Sequence, residues 1–213
     1  MLKSLPVPCL CLVTDLEHFD VPTMVDRIGR AVLGGVDLIQ IREKTLLDED
    51  LLELALLIVD RLDGSAQIVV NDRINISKQC GLGVYLPEES ESILEIKKLL
   101  EPDVLIGKSV HNIENAVIAE EQGVGFLIAG TMFSTESHPG KIPEGPLLID
   151  NIRQVGDVSV PVLGIGGITA DNADLVMKSG ASGVAVISSI LKAPDPMEAA
   201  SAIKQVISRS LIV

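Results

Sequence analysis

Aromatic side chains are almost missing from this chain of 213 residues: three Phe, one Tyr and no Trp. With a net charge of −13 and no cluster of Lys and Arg, that scarcity removes both a phosphate-tracking basic stripe and a base-stacking platform. Nucleic acid is therefore not an expected partner. Cysteine is equally sparse. Cys9, Cys11 and Cys80 form no Cys-x-x-Cys pair, and an odd count without a secretory leader pattern predicts reduced, buried thiols in a cytoplasmic protein. His18, His111 and His138 lie far apart, none in a metal-ligand spacing or beside a serine elbow, which argues against a zinc site and a nucleophilic triad. Charge interrupts every apolar run before it reaches bilayer-crossing length, so no membrane span is expected.

What the chain does hold is apolar residues, 47% of the total, in short β-rich runs. Eight of them recur, at Cys9–Thr14, Leu38–Ile41, Gln67–Asn71, Gly83–Leu86, Val104–Ser109, Gly125–Ala129, Pro161–Ile165 and Gly183–Ile187. Between them the apolar spacing turns helical, at Pro22–Leu33, Asp48–Leu62, Arg73–Gln79, Ser90–Leu100, Ile113–Gln122, Leu147–Val155, Ala170–Lys178 and Met197–Arg209. Strands nearly continuous in Val, Ile and Leu are covered on both faces, and about 27 residues per unit accommodate a strand, a helix and two turns. The expected fold is α/β, a single (βα)8 TIM barrel occupying residues 1–213 as one domain. An open doubly wound sheet is the alternative, although no Gly-x-Gly-x-x-Gly follows the first strand. The second helix carries Leu51, Leu54, Ile58 and Leu62 on one stripe and Leu52, Leu56 and Val59 beside it. That is either a wide core face or a subunit contact in a homo-oligomer.

Two glycine-studded segments near the C-terminus, Val162–Thr169 and Gly183–Ser189, read as buried strands running into a turn and a helix. In such a barrel the loops after the seventh and eighth strands form the usual phosphate site, because glycine lets backbone N–H groups approach an anion. A small phosphorylated molecule is the ligand class this implies. At the end of the second strand the two-residue period puts Gln40, Arg42 and Lys44 on one side. Two cations inside a barrel would be costly, so they belong at the mouth against an anion, the alternative being an ion pair with a neighbouring carboxylate. Asn71 and Asp72 follow the third strand. Asp72 suits helix capping, or Mg²⁺ beside a pyrophosphate. Ser109 ends the fifth strand, where a bond to local backbone is the commoner use of a hydroxyl, and His111 reads as a turn residue. Residues Gly130–Pro146 form the longest irregular stretch, a lid or clamp whose polar candidates are Thr135, Ser137, His138 and Lys141.

The segments QIREK, VVNDR, IGKSVH, GTMFSTESHPG, VLGIGGIT and GVAVISSI, in this order and spacing, resemble the thiamine-phosphate synthase family over nearly the whole chain. The resemblance implies a (βα)8 barrel that joins hydroxymethylpyrimidine diphosphate to thiazole phosphate and releases pyrophosphate with Mg²⁺ bound. It implies diphosphate binding by Arg42, Lys44 and Asn71, and pyrimidine contacts from Gln40 and Ser109. Asp72 would ligate Mg²⁺, and Thr135, Gly167, Ile187 and Ser188 would bind the thiazole phosphate. Two positions depart from the family's pattern. Ser90 stands where a second metal-binding aspartate is usual, leaving Glu88 or Glu89 as substitutes. In the loop after the sixth strand Thr135-Glu-Ser137-His138 replaces Thr-x-Thr-Lys, so His138 or Lys141 takes the place of a lysine. These changes lean toward the sister thiazole tautomerases, in which His138 would serve as the acid–base group. Tautomerases, however, place a histidine where this chain has Thr131, and they lack the Lys44 and Asn71–Asp72 features. The transferase is the leading reading; a tautomerase and a noncatalytic barrel binding thiazole or thiamine phosphate are the alternatives.

Overall fold

The computed structural model describes residues 4–135, 140 and 142–210. Eight strands alternate with helices: β1 Cys9–Val13, α1 Val21–Leu33, β2 Leu38–Ile41, α2 Asp48–Leu62, β3 Gln67–Asn71, α3 Ile74–Cys80, β4 Gly83–Leu86 and α4 Ile93–Lys97 come first. The second half runs β5 Ile106–Val110, α5 Ile113–Glu121, β6 Phe126–Gly130, α6 Leu147–Gln154, β7 Val162–Ile165, α7 Ala173–Lys178, β8 Gly183–Val186, α8 Ser188–Leu191 and α9 Pro196–Arg209. Each strand pairs in parallel with its sequence neighbours, and β8 returns to β1 with Cys11 opposite Ala185. The sheet is closed, which decides against the open alternative. Helix α9 packs on α1 and closes the outer ring as well.

The strand period explains two separate cores. Leu10, Leu12, Ile39, Ile41, Val70 and Val84 face outward under the helices, whereas Cys9, Cys11, Val13, Leu38, Val69 and Tyr85 face inward and fill the barrel. Cys9 and Cys11 are free thiols in that inner layer, where burial pushes both well above the ordinary cysteine range. They are packing residues. Among the described residues no helix is long and apolar enough to cross a membrane.

Helix boundaries follow their caps. Asp20 accepts from the Thr23 amide at 2.9 Å with Pro22 in the first turn of α1, and Asp195 accepts from the Met197 amide at 2.9 Å at the start of α9. The fourth helix is shorter than its apolar spacing suggests because Ser92, not Ser90, supplies the cap, accepting from Leu94 N at 3.3 Å. The Ser90 hydroxyl instead accepts from Lys108 Nζ at 2.6 Å. Asp72 does not cap α3. Its φ of 61° turns the chain through the left-handed region, and the N-cap position falls to Arg73, which makes no side-chain cap bond. Val104 is in a turn closed on Glu101 O, so β5 begins at Ile106. In α2 the stripe of Leu51, Leu54, Ile58 and Leu62 is buried, but Leu56 is 51% exposed, so the apolar surface is wider than the core face.

Polar anchors at the N-terminal ends of the strands serve the fold. Asp37 accepts from Leu10 N at 2.7 Å and from Lys204 Nζ at 2.6 Å, tying β1 and the start of β2 to α9. Inside the barrel Gly107 lies opposite both Tyr85 and Phe126, and its lack of a side chain makes room for the Phe126 ring. A Cβ there would come within 2.2 Å of that ring. Gly107→Ala is expected to cost about 1–3 kcal/mol through overpacking, read as a lower urea midpoint. Phe126→Leu in the same background should recover part of the loss.

Candidate active site

The C-terminal ends of the strands open into a cavity of about 730 Å³. Its wall has two chemically distinct halves. On β2 to β5 the inward positions are polar: Gln40 Nε2 donates to Asn71 Oδ1 at 3.1 Å, and the Tyr85 hydroxyl lies 2.8 Å from Ser109 Oγ. On β6 to β8 the corresponding positions are Ile128, Ile165 and Ala185, with Ile187 just past β8 and Val13 of β1 beside them. One half can read the edge of a polar ring; the other offers an apolar bed. Burial raises the Tyr85 phenol far above its ordinary pKa, with the Ser109 bond opposing in part, so the phenol keeps its proton.

Arg42 and Lys44 continue from β2 onto the rim of the polar half. No carboxylate among the described residues pairs with either, which decides against the ion-pair alternative. Glu43 between them turns to the other side. Its carboxylate accepts from Thr14 Oγ1 at 2.5 Å and from Leu16 N at 3.1 Å.

Across the cavity, the β7 turn and the start of α8 provide backbone. Gly166 and Gly167 have φ of 108° and 62°, and a Cβ on them would fall 2.4 Å from Thr131 Cγ2 and from Ser134 O respectively. Glycine is needed there because the loop after β6 lies directly against the turn, with Met132 N donating to Ile165 O at 2.8 Å and Phe133 N to Gly166 O at 2.9 Å. Asn172 Nδ2 holds Gly167 O from behind at 3.0 Å. The Gly167 N–H has no acceptor among the described residues. At the start of α8 Ile190 N and Leu191 N donate to Ile187 O, whereas the Ser188 and Ser189 amides have no acceptor among the described residues, and Ser189 Oγ donates to Ile168 O at 2.7 Å, locking the two loops together. Glu144 takes the Thr131 amide and so anchors the β6 loop at its root.

The structure thus brings Gln40, Arg42, Lys44, Asn71, Ser109, Thr135, Gly167, Ile187 and Ser188 to one wall. Ser137, His138 and Lys141 lie outside the described residues. Asp72 is exposed and stands beyond the cavity wall, one residue past Asn71. Ser109 bonds Tyr85 rather than local backbone. His111, read from the sequence as a turn residue, faces the cavity, with its Nδ1 2.6 Å from Glu88 Oε2. Glu88 also accepts from the His111 amide at 2.9 Å and from Asn115 Nδ2 at 2.7 Å, so both its oxygens are used by the protein. It is not a free replacement for a metal ligand; Glu89, exposed on the rim, carries no such commitments. Burial pushes the Lys108 ammonium down, opposed by Glu88 and Glu89, and this cation occupies the Ser90 hydroxyl. A second group of ligand types, Asp15, Glu17 and His18, sits after β1, but Asp15 already accepts from Glu17 N at 3.1 Å.

Sequence reasoning passed over Tyr85, Glu43 and the apolar bed. The alternation in QIREK that places Arg42 and Lys44 together also turns Glu43 away from them, and that was the available signal.

The chain matches the thiamine monophosphate synthase family over residues 10–190. It is 37% identical over 201 residues to the thiamine-phosphate synthase of Albidiferax ferrireducens, covering 93% of this chain and 91% of that one. Identity with the thiamine-phosphate synthase of Natronomonas pharaonis is 36% over 192 residues, 88% and 89% of the two chains. Among solved structures, the thiamine phosphate pyrophosphorylase from Pyrococcus furiosus superposes with a TM-score of 0.84 at 30% identity, covering 95% of this chain and 96% of that one.

Burial alone would raise the Glu88 carboxyl, but the bonds from Asn115 and His111 outweigh it and hold the group below its ordinary 4.5. A carboxylate with a depressed folded pKa stabilises the fold above its unfolded value, and the gain is lost as pH falls through the folded pKa. Thermal melts should therefore fall more steeply below about pH 4.5 for the wild type than for Glu88→Gln. Parallel curves would remove the clamp between the β4 and β5 loops. With motif, cavity and relatives in agreement, the chain belongs to the thiamine monophosphate synthase family.

Proposed function

We propose that this chain is a transferase of the thiamine-phosphate synthase type, joining hydroxymethylpyrimidine diphosphate to thiazole phosphate with release of pyrophosphate. The observation that carries the reading is the division of one cavity into a cation-rimmed polar half and a glycine-lined half with an apolar floor. Its volume of about 730 Å³ suits two small heterocycles side by side.

In this reading Arg42, Lys44 and Asn71 hold the diphosphate, while Gln40 and Ser109 contact the pyrimidine. The Gly167 amide, Ser188 and Thr135 take the thiazole phosphate, and Ile187 supports its ring. The pyrimidine C–O bond breaks, pyrophosphate departs with the electron pair, and the thiazole nitrogen forms the new C–N bond to the pyrimidine cation. Arg42 and Lys44 stabilise the negative charge that develops on the leaving group. Because neither forms an ion pair with a carboxylate among the described residues, their field is available to the substrate and needs no rearrangement. Apolar walls on β6 to β8 limit water near the cation.

The donor set fits Mg²⁺ in the usual manner of one or two carboxylates with phosphate oxygens and water completing the shell. Asp72, exposed one residue past Asn71, and Glu89, exposed on the rim, are the residues that would hold it. When bound, the metal adds positive charge to the departing pyrophosphate. The tautomerase alternative loses support at Thr131, which is buried at the end of β6 with its amide on Glu144.

Incubation with both substrates and Mg²⁺ should release pyrophosphate, and Arg42→Ala should lower kcat/KM on the order of 100- to 1,000-fold. Tight thiazole phosphate binding without release would instead favour the tautomerase or noncatalytic readings. Gly167→Ala should raise KM for thiazole phosphate, because the new methyl needs the space held by Ser134 O at 2.4 Å. An unchanged KM would place that phosphate elsewhere.

A further inference from the structure

Glu43 is a charged side chain held away from the cavity it adjoins. It sits between the two cations in sequence, yet its carboxylate is directed at the end of β1. Thr14 is the centre of the arrangement. Its side chain, 1% exposed, donates from Oγ1 to Glu43 Oε1 at 2.5 Å and accepts at the same oxygen from Arg42 N at 2.9 Å. The Thr14 amide donates to Gln40 O at 3.0 Å, continuing the β1–β2 ladder, and Glu43 Oε2 accepts from Leu16 N at 3.1 Å. The chain from Gln40 to Glu43 is therefore fastened to residues 14–16 at four points.

Two consequences follow for the diphosphate site. First, the backbone of Arg42 is fixed beyond the last strand residue, Ile41, where a loop would otherwise drift. Second, the carboxylate nearest to Arg42 and Lys44 along the chain is occupied by an O–H and an N–H. It is not free to swing over and compete with an anion for either cation. Burial raises the Glu43 carboxyl, helped by the Asp15 charge and opposed by the bonds from Thr14 and Leu16 and least by the Arg42 charge, so the fold disfavours the charged form of this group and yet keeps it inside.

We infer that Glu43 and Thr14 together form a positioning bracket that presents Arg42 and Lys44 to a diphosphate and keeps the intervening carboxylate out of the anion site. The inference rests on the assignment of Arg42 and Lys44 to a diphosphate. Neither bracket residue touches the reacting atoms; both act through Arg42 and Lys44.

The test uses the full chain and two probes, inorganic pyrophosphate and thiazole phosphate, in addition to turnover. Glu43→Ala and Thr14→Val should each weaken pyrophosphate binding, and raise KM for the pyrimidine diphosphate, by roughly tenfold or more, with thiazole phosphate affinity within about twofold of wild type. The double variant should be little worse than either single one, because the two residues act as a unit. Glu43→Gln should fall between wild type and Glu43→Ala: its amide oxygen can accept one of the two donors, but its NH₂ faces the other. Thr14→Ser keeps the hydroxyl and should restore most of the affinity. Equal weakening of both probes would reveal general loosening and overturn the bracket, as would unchanged pyrophosphate affinity in Glu43→Ala and Thr14→Val. If wild type binds pyrophosphate but does not turn over, the transferase reading fails while the bracket is still tested by the binding series.

Discussion

Closure of the parallel sheet is the constraint from which the rest of this molecule follows. Once β8 hydrogen-bonds to β1, every strand is covered on both faces, and alternate residues must be apolar outward and close-packed inward. A cation or an unpartnered amide then has one affordable location, the mouth at the C-terminal ends of the strands, where solvent or a ligand can meet it. Arg42, Lys44 and the Gly167 amide all lie there.

The mouth is assembled by cross-links between loops rather than by any one loop. Thr14 and Glu43 join the first two, Glu88 and His111 join the fourth and fifth, Glu144 holds the root of the sixth, and Ser189 binds the seventh to the eighth. Each uses a polar side chain that is not itself a candidate phosphate ligand. In an acidic protein with a net charge of −13, two carboxylates close to the site, Glu43 and Glu88, are engaged by protein donors, and neither rim cation pairs with a carboxylate among the described residues. Local arrangement, not net charge, sets the field that an anion meets.

Much of the architecture was legible from periodicity. Leu38–Ile41, Gln67–Asn71 and Gly83–Leu86 match the observed strands, and Asp48–Leu62 matches α2, because apolar period and turn residues coincide at those points. The fourth helix begins later than apolar spacing predicts, since spacing alone does not reveal that the Ser90 hydroxyl is drawn to Lys108, 18 residues further along the chain, which the β4–β5 pairing brings alongside. Of the two uses the sequence leaves open for Asp72, helix capping is excluded, because a left-handed φ at that residue is set by the corner after Asn71 and not by local propensity.

The sequence by itself determined the order of eight βα units, the two glycine turns and the grouping of Gln40, Arg42 and Lys44, because each rests on contacts or periods within a few residues. Only the tertiary structure decided that the barrel closes, that Tyr85 takes the Ser109 hydroxyl, that Glu88 is spent on His111 and Asn115, and that Glu43 is fastened to Thr14. Those pairings join different strands and loops, and which donor meets which carboxylate depends on register and strand order around the ring, quantities that no local pattern carries.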